Sequence, residues 1–168
     1  MIRTQTSSRA AAGVALAALL LFGLTGCAAP LFGRPQSYDD LASEVADAFT
    51  HDHYENLRDL VVTNADMRKM GESADGPDDD PYKPAEIAVH DSFDRVLTQG
   101  KAAGIDWEQA HYSSAIARDA KHEYKEKVDV ELSLDQQGNR YKLLIKNAQL
   151  INDGDIVLTG PIEWLGTP

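Results

Sequence analysis

The densest group of potential ligands in the chain is His51-Asp52-His53-Tyr54-Glu55. Imidazole and carboxylate are the donors that transition metals take. On a helix, His51 and Glu55 would share a face while His53 pointed away; in an extended segment His51, His53 and Glu55 would share one side. No further ligand follows at a spacing used by metal sites, so the group reads as a solvated junction between two helices. Asp75, Asp78, Asp79 and Asp80 offer the oxygen donors that calcium prefers. Pro77 and Pro81 interrupt them, and the bidentate Glu that closes a calcium loop is missing, so this stretch reads as a disordered acidic loop that condenses ions loosely. Ser113 and Ser114 lack the Gly-x-Ser-x-Gly elbow of hydrolases. No glycine loop that could cradle a phosphate is present, and nothing in the pattern calls for a cofactor or a metal. Cys27 is the single cysteine, which rules out a disulfide within the chain.

The surroundings of Cys27 carry the clearest pattern. Arg3 and Arg9 precede an apolar run from Ala10 to Leu24, and no acidic residue occurs before Asp39. A basic start, a short apolar stretch and small residues at its end are the parts of a secretory signal peptide. The run is Ala-rich and shorter than the roughly 20 residues needed to cross a bilayer. Leu24-Thr25-Gly26-Cys27 resembles the lipobox of bacterial lipoproteins. The resemblance implies removal of residues 1–26 and a diacylglyceryl thioether on Cys27, often with a third acyl chain such as palmitate on the new amino terminus. One acyl chain binds a membrane only marginally, at about 0.8 kcal/mol per buried methylene, so stable anchoring takes more than one. The chain is then expected to be lipid-anchored in the cell membrane or outer membrane, its domain outside the cytoplasm. An Ala at position 28 looks like an outer-membrane sorting signal in double-membraned bacteria.

After that cleavage 142 residues remain, enough for one domain with its own core. The formal charge of −11 becomes −13, with 14 basic against 27 acidic side chains. A surface that negative repels phosphate backbones, which argues against a nucleic-acid partner, and it gives no help on anionic lipid.

Residues 27–37, with Pro30, Gly33 and Pro35, read as a lipidated tether, and residues 38–168 as a single domain. Ser37 or Asp39 can cap a first helix whose apolar face is Leu41, Val45, Ala48 and Phe49. Tyr54, Leu57, Leu60 and Val61 suggest a second helix, and Asn64 starts a short third piece through Met67 and Met70. Residues 71–82 form an exposed loop. Pro84 opens a helix striped by Val89, Phe93, Val96 and Leu97 that ends at Gly100 or Gly104. Strands follow: 112–117, then the alternating Val128, Val130, Leu132 and Leu134, then 141–151, then one last strand over 156–164 with Pro161 at an edge or bulge. Turns are expected at Gln136–Asn139 and at Asn152-Asp153-Gly154-Asp155. The class is α+β, with two or three helices on a curved antiparallel sheet of three or four strands in meander order.

That order of elements resembles the cystatin-like/NTF2-like α+β cone over residues 38–165. Gly104-Ile105-Asp106-Trp107 is similar to a segment of small bacterial lipoproteins of that shape. The resemblance implies a pocket in which enzymes of the type place an Asp or His base with a Tyr or second acid. The candidates would be Tyr54, His90, Asp91, His111 and Tyr112. His90 and Asp91 are adjacent on a helix and project about 100° apart, which argues against a side-by-side dyad. Trp107, Tyr112 and Trp164 stand at element ends and read as core plugs rather than cleft walls. The expected role is therefore a non-catalytic binding or accessory module that contacts another envelope protein or a small apolar ligand. An isomerase, dehydratase or hydrolase acting on a small apolar substrate is the alternative.

Overall fold

The computed structural model describes residues 33–151 and 154–167. The expected signal peptide, Cys27 and the start of the tether lie outside the described residues, as does Asn152-Asp153 of the second turn. Among the described residues no helix is long and apolar enough to cross a membrane.

Among the described residues four helices precede the sheet: α1 (Tyr38–Thr50), α2 (Tyr54–Leu60), α3 (Asn64–Lys69) and α4 (Lys83–Ala102). Ser37 caps α1, its hydroxyl accepting from the Asp40 amide at 3.0 Å, and Asp39 and Asp40 suit the positive end of the helix. Thr63 and Asp66 form a reciprocal capping box on α3. Of the two expected terminators of α4, Gly100 lies within the helix, where a Cβ would stand 2.3 Å from the Trp107 indole. Gly104 is the terminator, at φ +90°; its amide and that of Ile105 return to the carbonyls of Lys101 and Gly100 at 3.1 and 3.0 Å.

A 3₁₀ turn over Trp107–Gln109 leads into β1 (His111–Ala117), β2 (Lys127–Gln136), β3 (Asn139–Leu150), β4 (Ile156–Leu158) and β5 (Ile162–Gly166). All pairings between strands are antiparallel, in the order β1-β2-β3-β4, with β5 also pairing β3. The class is the α+β meander expected, with helices on a curved sheet. Gln137 and Gly138, both at positive φ, make the two-residue turn between β2 and β3. The expected single last strand is two. Gly160 and Pro161 separate them: a Cβ on Gly160 would meet the Lys146 carbonyl at 2.7 Å. The Pro161 carbonyl accepts from the Lys146 amide at 3.0 Å. β4 therefore pairs with residues 148–150 and β5 with residues 142–145.

The compact unit begins at Gly33, not Tyr38. The Pro35 carbonyl accepts from the Ile156 amide at 2.8 Å, and the Arg34 guanidinium donates to Asp66 at 2.6 Å. Burial opposes ionisation of Asp66. The bonds from Arg34 and Thr63 outweigh it and hold the carboxyl below its usual range.

Between helices and sheet the space is filled. Leu41, Val45 and Phe49 share one core cluster with Val130, Leu132, Leu134, Leu143 and Ile145, all without measurable exposure. Phe49 sits among the Phe93 ring at 4.9 Å and the Trp107 ring at 5.5 Å. Among the described residues the middle of the layer is occupied by these side chains.

Candidate functional site

An open cleft of about 680 Å³ lies where the C-terminal ends of α1 and α4 approach the 3₁₀ turn. Its apolar floor is Leu97, Ile105, Trp107 and Ala110, and its polar walls are His51, Asp52, Lys101, Asp106, Glu108 and His111. Trp107 serves both the core and the cleft: its indole N–H donates to the Leu97 carbonyl at 3.3 Å while the ring stacks on Phe49. Three carboxylates face one ammonium here, so the field in the cleft favours a cation.

His51 is not arranged as the histidine of a catalytic relay. Its Nδ1 meets the Asp47 carboxylate at 3.1 Å and the Thr50 hydroxyl at 3.2 Å. A relay needs the nucleophile on one ring nitrogen and the carboxylate on the other, and here both crowd the same atom. The segment His51–Glu55 adopts neither geometry considered from sequence. His51 is the last cap of α1, Asp52 turns at φ +54°, and His53 starts α2. The two imidazole rings lie 6.2 Å apart at a solvated junction. Among the described residues no three His, Cys, Asp or Glu side chains come together to hold a metal.

Of the five cavity candidates, His111 alone reaches this cleft. Tyr112 is half-buried at the start of β1 and its hydroxyl donates to Asp39. Burial, then that bond, then the charges of Asp39 and Asp40 push the phenol far above its usual range, so it stays protonated. Its ring packs against the core while the hydroxyl reaches α1. Burial, Asp40 and Asp47 likewise raise the carboxyl of Glu44, which marks the exposed side of α1 as an acidic ridge.

Tyr54 and His90 form a separate pair on the outside of the helical layer. Their rings meet edge to face at 4.7 Å beside a shallow hollow of about 230 Å³. The Tyr54 hydroxyl is buried without a hydrogen-bond partner in the structure, and burial, then Glu86, raises its pKa. His90 Nδ1 and Asp91 Oδ1 approach to 3.8 Å, closer than the helical projection suggests yet beyond hydrogen-bond range, and both side chains are more than half exposed. The five candidates thus lie at three places rather than converging.

The acidic loop is pinned, not disordered. Arg68 donates to the Ala74 and Gly76 carbonyls at 2.6 and 3.1 Å and to the Asp78 carboxylate. Asn64 holds Pro77 with its side chain and Asp80 with its amide, both at 3.0 Å. A single basic side chain, invisible to a composition count, organises the loop.

The sheet face away from the helices carries matched charges. Glu131 lies between Lys142 at 2.6 Å and Arg118 at 2.8 Å. Asp135 pairs with Arg140 at 2.9 Å, and Asp129 pairs with Lys146. The excess negative charge lies elsewhere: residues 38–110 hold eighteen acidic and six basic side chains, against nine and seven from 111 onward. Sequence reasoning missed Asp39, Lys101, Asp106 and Glu108 as site residues. Each is an ordinary surface charge until the fold brings it beside β1 or Trp107. No family model matches the chain, and no curated protein or solved structure matches it either.

Proposed function

We propose that this chain is a bacterial envelope lipoprotein, attached to a membrane through lipid on Cys27, whose α+β domain is a non-catalytic binding module for another envelope protein. The packed interior carries the non-catalytic half of the reading. Phe49, Phe93, Leu132 and Ile145 occupy the volume where a cavity enzyme would hold its substrate. Tyr54 and His90 lie together at one place, His111 at a second and Tyr112 at a third, which also favours a module over an isomerase, dehydratase or hydrolase. The lipobox-like Leu24–Cys27 supports the anchor.

Radioactive palmitate should label the wild-type protein and not Cys27→Ala; a wild-type chain that never takes label overturns the anchor. A photo-crosslinking residue in place of Glu108, at the cleft, should trap a discrete envelope protein. The same residue in place of Ile87, exposed on α4, should not. Equal trapping at both positions overturns the assignment of the site.

A further inference from the structure

β1 differs from β2, β3 and β5 in having no Lys, Arg, Asp or Glu along its length. It is also an edge strand. Among the described residues its backbone pairs with β2 alone, which leaves the groups along its other side without partners. Natural sheets blunt such edges with charges, prolines, bulges or covering elements. β1 has a bulge between Tyr112 and Ser114, after which its register with β2 runs unbroken to Ala117. Ile116 is 56% exposed on this unguarded stretch. A regular, uncharged edge next to a cleft is a template for one more strand.

The charges around the edge select the occupant. Asp39, which accepts from Tyr112, and Asp40 stand over one part of the strand. Asp106 and Glu108 precede it at the cleft. A second copy of this chain carries the same net negative charge, and like charges oppose its approach. An extended segment rich in Lys or Arg meets complementary charge at both places. Where such a segment runs past His111, an apolar side chain has Trp107 and Ile105 to settle on.

We infer that β1 and the adjoining cleft form one docking surface, on which an extended basic segment of a partner protein adds as a further strand. The inference rests on the binding-module reading and names the partner's chemistry. Backbone bonds to β1 supply sequence-independent affinity, while the carboxylates select basic side chains.

Amide hydrogen exchange on the full-length protein in detergent micelles tests it, with a capped peptide of alternating lysine and valine as the probe. Residues 111–117 should become protected when the peptide is added. Ile116→Lys, which sets a cation on an exposed edge position, should weaken binding about tenfold or more with an unchanged melting temperature. Asp39→Asn combined with Asp40→Asn should weaken it by about tenfold and flatten its dependence on salt. Three results overturn the inference: no protection of 111–117 at millimolar peptide, equal binding of an alternating glutamate–valine peptide, or protection of 111–117 that grows with protein concentration alone. The last would make a second copy the occupant. The measurement is independent of the lipid, so a failed peptide experiment with palmitate labelling intact removes the docking surface and leaves the anchor. Failed labelling with protection intact does the reverse.

Discussion

The two flanks of the sheet are built to different standards. On the β5 side, α4 is locked down. Ser92, fully buried, donates to the Val89 carbonyl at 2.7 Å and accepts from the Ile162 amide at 3.0 Å. Gly100 lets the Trp107 indole lie against the helix backbone, and Trp164 meets the Trp107 ring at 6.3 Å. On the β1 side, α1 packs on the strand, but among the described residues the edge has no paired strand, and the polar contact from α1 is the exposed Tyr112–Asp39 bond. Close packing concentrates stability on one flank, where any added atom is costly. The other flank keeps backbone groups and carboxylates available. The proposed binding role would be served by that division.

Substitutions should reveal the contrast, most strongly at the packed centre. Phe49→Ala removes a fully buried ring and should lower stability by about 3–5 kcal/mol, read from urea midpoints. Gly100→Ala places a Cβ within 2.3 Å of the indole; the loss should lie near the top of the about 1–3 kcal/mol range for overpacking and be accompanied by a changed Trp fluorescence maximum. A wild-type midpoint for Gly100→Ala would mean that the β5 flank is as permissive as the β1 flank. Ser92→Ala strips the Ile162 amide of its acceptor and should cost about 1–2 kcal/mol in the same assay.

Asp66 sharpens the comparison at the start of the domain, because it ties Arg34 to α3. Its folded pKa is depressed, so its contribution is present above the ordinary carboxyl value and disappears as pH falls through the lower folded value. The melting-temperature gap between wild type and Asp66→Asn should therefore be constant near neutrality and close below about pH 4. A gap that widens in acid would reverse the assigned sign. The smallest effect belongs to the open flank: Ile116→Lys should change stability by less than about 0.5 kcal/mol, because the side chain is already in water.

Local order was legible where short-range rules set the answer. Ser37 as a cap, the Val128–Leu134 alternation and the Gln137-Gly138 turn depend on neighbours within a few residues. The break at Gly160-Pro161 was half-legible: Pro161 signalled an edge or bulge, but the carbonyl of Lys146 that forces the split lies on another strand. The site was largely illegible. Asp39 and Tyr112 are 73 residues apart in sequence, and Arg34 and Asp66 are 32 apart, so no local pattern marks either pair.

Composition and periodicity settle the α+β class, the acidic balance and the apolar faces, since each is a sum or a repeat along the chain. Which strand is left at the edge, which carboxylates gather beside it and whether the interior is hollow depend on long-range packing. Those contacts are chosen by the shapes of whole elements meeting, and shape enters only when the chain has folded.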